Sequence, residues 1–579
     1  MKGEGHPAGS GRPPAQERPP TAPPGAPRLA DRVSPAHPSK GRGVSTYLTE
    51  TWTDAEAAIL RRYVTNLDGP VFALVNLPEV VKGALFARYS RSTKSLRRLF
   101  LDEFVGDLDT TEDTSIDATV GVARAEALYD RVFLEYGDDS VAQLAGVHLA
   151  CEQASNLLTK VLERARLMSY MEKSTRYVTY DSRVDGRYRY FRPPEVMASP
   201  VGSRYVGELD RLFDTYAELV PQLQEWARER HPKSSSDSDF VYRSTIRAMA
   251  LDAVRGVLPA ASVSNLGIYG TGQAYETLVL RMRASVLPEA QAYAELVLFE
   301  LRKVIPSFLS RVDRPDRGGA WIEYLQRSRE TLAEAAARLL PEPGDVEPVP
   351  EISLVDFDPE GEDKVLAALL YPHTDLPDAV VLSHVRKLST EERLGLVRAV
   401  AAERGGRRHR PGRGLERTDY RFEICSDYGA FRDLQRHRLL TIDWQALSPV
   451  HGFVLPEAVA EAGGAERFAE AMDRSKALHD ALLEEVPSAA SYAVSLAYKI
   501  RYVMQLNARE AMHVLELRTS PQGHPSYRRV GQEMHRLIAE QAGHHAVAEL
   551  MRFVDHSDPD FESTRLESER RAAKRTATS

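Results

Sequence analysis

The sequence predicts an α+β fold made of two diverged copies of one domain, and three observations carry that expectation. Segments of the first half recur in the same order in the second. Each half mixes a few short apolar runs of strand character with longer helical patterns, and the helices dominate. A proline-rich acidic stretch separates the halves.

The chain has 579 residues, which exceeds the usual size of one domain. Residues 1–47 are rich in Pro, Gly, Ala and Ser and lack the apolar stretch a secretory signal requires, so they are expected to be a disordered tail. The first domain is expected over 48–338. It opens with the apolar strand Val71 to Pro78, ended by proline, and a helical pattern in Val80, Val81, Ala84 and Leu85. Ile352 to Pro359 repeats that strand, and Val365, Leu366, Ala368 and Leu369 repeat the helix. A second echo sets Arg164-Ala165-Arg166 against Arg436-His437-Arg438. A third sets Gly270 to Glu276 against Leu506 to Met512. The spacing between echoes shrinks along the chain, as it does when the first copy carries longer insertions. The linker is expected over 339–351, where four prolines fall between Pro341 and Pro350, the second domain over 352–556, and a charged tail over 557–579.

With 43% hydrophobic and 27% charged residues, the composition is that of an ordinary globular protein. The net charge of -8 argues against a protein that coats nucleic acid or an anionic membrane. Cys151 and Cys425 are the only cysteines, which leaves no disulfide framework and no cysteine-based metal site, and a reducing cytoplasm is the expected location. The richest apolar run, Val141 to Cys151, is interrupted by Gln143 and His148 and falls short of the roughly 20 residues of a membrane span.

Leu157, Leu158, Val161, Leu162 and Ala165 are spaced as one face of a helix that leads into Arg164 and Arg166. Residues two apart point the same way only in extended chain, so a paired arginine grip requires the helix to stop there. Glu172, Ser174 and Arg176 follow at period two, which places a carboxylate, a hydroxyl and a guanidinium on one face of an extended strand. Such a set suits a phosphorylated, hydrogen-bonding ligand, and a solvated strand face with one ion pair is the plain alternative. In the second half, Gln435 to Arg438 repeats the arginines and adds a histidine. Asn507 to Arg518 reads as a helix with Arg509 and His513 on one side, whose start either aims its amides at an anion or is capped by Asn507 with Glu510 as return partner. The basic run Arg404 to Arg413 reads as a solvated loop, a nucleic-acid patch or a phosphate contact, and the lack of interleaved aromatics counts against single strands.

Taken together, these stretches resemble the flavin-dependent thymidylate synthases, whose signature is Arg-His-Arg, seven residues, then Ser. Arg164, Arg166 and Ser174 match it in the first copy, followed by Glu172, Arg176 and Tyr177. Glu135 to Ser140 is similar to the family's Glu-Tyr-Gly-His-Glu-Ser, and Arg255 to Pro259 to its Arg-x-x-Leu-Pro. Arg436-His437-Arg438 is the triplet intact, and Asn507 through Arg518 resembles the family's C-terminal helix. Departures run in opposite directions. The first copy has Ala165 for the triplet histidine, Asp138 for the upstream histidine, Val161 for a glutamine, and Thr271 and Gln273 for Asn and Arg. The second has Ala446 for the serine and Ser491 where the Arg before Leu-Pro falls. Each copy keeps what the other lost, as a composite site would tolerate.

The resemblance implies helices packed on a small, mostly antiparallel sheet in each copy, and methylation of dUMP to dTMP with FAD, methylenetetrahydrofolate and NADPH. It implies that Arg164, Arg166, Glu172, Ser174, Arg176 and Arg255 hold dUMP, that Arg436, His437, Arg438, Asn507, Arg509 and His513 hold FAD, and that Arg518 favours ionisation at the uracil N3, with Ser174 also at the reacting centre. No metal is implied. Nor are nucleic acid or membrane partners. A homodimer supplying four modules is expected. Arg404 lies outside the matched motifs, so its replacement is expected to leave catalysis nearly unchanged. Two other readings stand beside the enzyme: a degenerate paralogue that binds flavin or nucleotide without turnover, and an RNA-binding protein using Arg404 to Arg413.

Overall fold

The computed structural model describes residues 47–77, 92–103, 146–176, 178–235, 238–341 and 348–558, together with positions 82, 85, 86, 89, 565, 566 and 569. Val80, Val81, Ala84, the stretch 135–140, Tyr177 and most of the expected tails lie outside the described residues.

Two four-stranded antiparallel sheets carry the architecture. The first contains β1 (Val71–Ala73), β2 (Gly146–Ser155), β3 (Met168–Glu172) and β4 (Val263–Thr271), in the order β1-β2-β4-β3. The second contains β5 (Ile352–Phe357), β6 (Asp419–Asp427), β7 (Thr441–Trp444) and β8 (Lys499–Asn507), in the order β5-β6-β8-β7. Identical strand order is what duplication requires, and the junctions repeat as well. β2 and β6 each run into a seven-residue helix, Asn156–Leu162 and Tyr428–Leu434, capped by the side chains of Ser155 and Asp427. β4 and β8 each run into a longer helix, Gly272–Arg283 and Ala508–Arg518, capped by Thr271 and Asn507. Gly270-Thr271-Gly272 thus carries the end of β4 into a helix start.

The registers match at Ser155↔Val263 and Asp427↔Lys499 and differ by one residue at the far end of the strand. A bulge between Cys151 and Ala154 absorbs the difference, with Gln153 at φ 55. The helix Asn156–Leu162 ends before Arg164, as expected. The strand reading of the next stretch needs correction: β3 stops at Glu172, and Ser174 and Arg176 lie in a turn in which the Arg176 amide donates to Ser174 Oγ at 3.2 Å. Polar side chains that satisfy their own backbone favour such turns over continued ladders.

Reciprocal hydrogen bonds join the halves about a pseudo-two-fold axis. Ala260 and Ala261 donate to the carbonyls of Val494 and Tyr492 at 2.8 and 3.0 Å, and Leu496 and Ala497 donate to those of Leu258 and Gly256 at 2.9 Å each. Arg166 donates to the Leu440 carbonyl and to Thr441 Oγ1, while Arg438 donates to the Met168 carbonyl and to Ser169 Oγ. A contact that maps onto itself under exchange of partners is the mark of a two-fold interface, here inside one chain. One apolar core accordingly runs from Tyr180 through Ala261 into the second half, and a second core belongs to the first sheet and its helices. Insertion sizes differ as anticipated: the long helix Gly202–Arg230 and the helix Asp239–Val254 separate Arg176 from Arg255. Among the described residues no helix is long and apolar enough to cross a membrane.

Candidate functional site

The capped short helices and the ends of β3 and β7 meet beside the axis, and the two sides of that meeting differ. On one side, Glu172 at the end of β3 is buried against three cations. Arg432 donates to it at 2.6 Å, Arg436 at 3.3 Å, and the Lys160 ammonium lies 3.6 Å away. Burial pushes this carboxyl up, but Arg432, Lys160 and Arg436 outweigh it and hold it below the usual carboxylate range. One turn before Arg436, Asp433 is bonded to Arg436, with Arg255 at 3.6 Å and Arg518 at 3.8 Å. Burial again acts upward, and Arg436, Arg255, Arg518 and Arg176 together keep Asp433 ionised far below its ordinary range.

Arg176 closes the cleft. It grips both oxygens of Asp252, at 2.7 and 2.6 Å, and reaches into the second half to Tyr527 Oη at 3.0 Å and the Gln522 carbonyl at 3.1 Å. Arg255 Nη2 and Arg432 Nε are buried there without an acceptor among the described residues, and buried donors of that kind call for an anion or an ordered polar ligand.

Behind this cluster runs a chain toward a cavity. Arg518 Nε donates to His437 Nε2 at 2.9 Å, which leaves the histidine proton on Nδ1, 3.6 Å from Glu510. Burial, then Arg518 and His513, hold His437 neutral. Glu510 is pushed up to about 7 by burial, against the pull of Arg410, Arg509 and Arg438. A cavity of about 440 Å³ begins there, lined by Arg166 of the first half and by Arg410, Arg413, Asn507, Arg509 and Glu510 of the second. Four guanidiniums line it beside the start of the helix Ala508–Arg518, two of them, Arg413 and Arg509, paired with Glu416 in the same lining, and such a set can take a pyrophosphate.

His437, Glu510 and His513 bring ligand-type atoms within 4.8 Å of one another. Each imidazole, however, already spends its lone pair on an arginine, His437 on Arg518 and His513 Nδ1 on Arg410 at 2.8 Å. A metal would need those lone pairs, which the two arginines already occupy.

Of the residues singled out in the sequence, Glu172, Arg176 and Arg255 from the first half gather with Arg436, His437 and Arg518 from the second, and Ser174 accepts from the Arg176 amide. Arg438, Asn507 and Arg509 lie along the interface and the cavity. His513 stands against His437 with ring centroids 5.4 Å apart. The Asn507 side chain accepts from the Glu510 amide, so it caps its helix. Three placements differ from expectation. Arg164 does not join Glu172: it pairs with Asp443 at 2.7 Å and lies 5.0 Å over the Trp444 ring, on the opposite side of the axis. Arg166 lines the cavity instead of the carboxylate cluster. Arg436, assigned to the cofactor side, faces Glu172 and Asp433. The axis decides this, because the carboxylate cluster takes its Arg-x-Arg segment from the second repeat and its Glu172 to Arg176 segment from the first.

Arg404 departs from the solvated-loop reading of its basic run, whereas Arg408, Arg410 and Arg413 are exposed. Arg404 is buried, with two hydrogen bonds to Glu516 at 2.7 Å each, and is a structural cation. Sequence reasoning missed Arg432, Asp433, Asp252, Tyr527, Glu510 and Lys160. Asp433 had a signal, since it stands three residues before the intact triplet, where Val161 stands in the first copy.

A model of the thymidylate synthase complementing protein family matches residues 85–307 and again 353–543. The chain belongs to that family. It is a tandem member, with one match in each half. A UPF0159 protein of Chlamydia muridarum is 40% identical over 521 residues, covering 89% of this chain and 97% of that protein. The UPF0159 protein Ta1429 of Thermoplasma acidophilum is 32% identical over 504 residues, covering 82% and 96%. Among solved structures, a UMP/dUMP methylase, PolB from Streptomyces cacaoi, bound with 5-Br UMP, aligns at 18% identity over 35% of this chain and 96% of that one, with a TM-score of 0.27.

Proposed function

We propose that this protein is a flavin-dependent thymidylate synthase that methylates dUMP to dTMP, using FAD with methylenetetrahydrofolate and NADPH, at a site composed from both repeats. The observation that carries the reading is the convergence of Glu172, Arg176 and Arg255 with Asp433, Arg436 and Arg518 beside one axis. Arg176, Arg255, Arg432, Arg436, Arg518 and Lys160 stand against Glu172, Asp252, Asp433 and the Glu163 bonded to Lys160, an excess of cations that a phosphate dianion offsets.

In this reading Arg176 and Arg255 receive the phosphate, with the unpaired Arg255 Nη2 as a ready donor, and Ser174 adds a hydroxyl. Glu172 keeps Arg436 and Arg432 in place. Arg518 faces the pyrimidine and favours the ionised N3 through its fixed positive charge, and neutral His437 holds its orientation by accepting from Nε. Arg166, Arg410, Arg413 and Arg509 would hold the FAD pyrophosphate. Bound FAD supplies the redox chemistry, and the folate supplies the carbon. The protein's own contribution is orientation, charge and exclusion of water.

The experiment is dTMP formation from dUMP with purified protein, FAD, methylenetetrahydrofolate and NADPH. Product that requires FAD supports the reading. Protein that binds FAD and dUMP yet forms no dTMP is a degenerate paralogue instead. The negative total charge counts against the RNA reading, and Arg404 is buried and paired, whereas Arg408, Arg410 and Arg413 of the same run are exposed.

A further inference from the structure

Because the halves repeat one another, the charged cleft has a pseudo-symmetric counterpart that can be compared with it position by position. The registers identify the pairs. Glu172 lies opposite Leu266 on β4 as Trp444 lies opposite Tyr502 on β8. Just beyond, Lys173 donates to the Asn265 carbonyl and Gln445 to the Arg501 carbonyl, at 2.9 and 3.0 Å. Counted from the capped starts of Gly272–Arg283 and Ala508–Arg518, Met282 corresponds to Arg518. The reciprocal bonds around Pro259 and Ser495 set Arg255 against Ser491.

The counterpart has lost most of the groups that hold charge in the working cleft, and keeps only cations, Arg164 for Arg436 and Lys160 for Arg432. Trp444 replaces Glu172, Met282 replaces Arg518, Ser491 replaces Arg255, Val161 replaces Asp433 and Ala165 replaces His437. What remains there is engaged otherwise. Arg164, the counterpart of Arg436, lies over the Trp444 ring and pairs with exposed Asp443. Trp444 packs edge-on to Phe431 at 5.4 Å, and Met282 is fully buried. Ser491 donates to the Leu447 carbonyl at 2.7 Å. A dianion brought there would trade its hydration for an indole, a thioether and hydrogen bonds already spent, and burying an uncompensated charge is prohibitive.

We infer that each chain carries one working nucleotide site and that its pseudo-symmetric counterpart is closed, so an assembly binds one dUMP per chain and not one per repeat. This rests on the nucleotide reading above and deepens it. Copies freed from identical duty keep one complete site between them, which is why the losses in the two repeats are complementary.

Equilibrium titration of the FAD-loaded, full-length protein with dUMP tests the inference. One dUMP per chain is expected. In Arg255→Ala, and in the conservative Arg255→Lys, all binding should weaken together, by at least tenfold, with no residual class of sites. Asp443→Asn, on the closed side, should change neither stoichiometry nor affinity by more than twofold. Two dUMP per chain, or half of the sites persisting unaltered in Arg255→Ala, overturns the single-site inference while leaving the nucleotide reading intact. Wild-type protein that binds no dUMP overturns the nucleotide reading itself, and the inference falls with it.

Discussion

Replacing Arg176 with alanine tests the cleft most directly, because this guanidinium ties the two repeats together where the ligand is proposed to sit. Alanine removes two bonds to Asp252, at 2.7 and 2.6 Å, one to Tyr527 Oη at 3.0 Å and one to the Gln522 carbonyl at 3.1 Å. Truncating one partner of a buried ion pair costs about 3–5 kcal/mol, because the other charge is left without compensation. The two side chains retain 17% and 14% exposure, which points to the lower end, about 3 kcal/mol, in urea unfolding. Tyr527→Phe removes a single bond and no charge, so about 1–2 kcal/mol is expected there. The dUMP affinity of Arg176→Ala should fall by roughly ten- to a hundredfold, the value of one charge-assisted hydrogen bond. A variant whose unfolding free energy stays within about 1 kcal/mol of wild type, and whose dUMP affinity is unchanged, would refute both the tie and the phosphate role.

Arg404→Ala should destabilise the second half by about 3–5 kcal/mol, because Glu516 would be left buried without its partner; an unshifted thermal midpoint removes the structural reading of that arginine. His513 is held down to about 4 by burial and by Arg410. The unfolded chain therefore binds the proton more readily between about pH 6.5 and 4, and stability falls as pH falls through that window. His513→Asn lacks this term, so its melting temperature relative to wild type should rise between pH 7 and 4.5; a constant difference excludes the titration. Glu510, raised to about 7 by burial, ionises as pH rises through neutrality and adds negative charge beside the arginine-lined cavity. FAD affinity should therefore decline from pH 6 to pH 8 in wild type and stay level in Glu510→Gln, as measured by flavin fluorescence titration; equal slopes refute the assignment.

The sequence by itself determined the repeat, the α+β class and the family. These are local properties. A strand closed by proline, a capped helix start at Asn507 and the Arg-His-Arg triplet are fixed by residues within a few positions of one another, and duplication writes them twice. The sequence also registered that the losses in the two copies are complementary.

Only the tertiary structure decided which losses belong to the same cleft. Arg164 is eight residues from Glu172 in the chain but stands on the other side of the axis, while Arg436 is the neighbour that Glu172 meets. Chain distance misled because a two-fold interface brings each segment against its partner's counterpart and not against its own continuation. Asp252 was likewise invisible as a site residue, and Asp433 was marked only by its place before the triplet, since a carboxylate's role depends on which cations burial forces beside it. Arg404 fell on the wrong side of the same rule. Its surroundings in sequence are basic and loop-like, yet packing against Glu516 turns it into a buried structural cation. Charge read along a chain gives composition, whereas the partner of each charge is set by the fold.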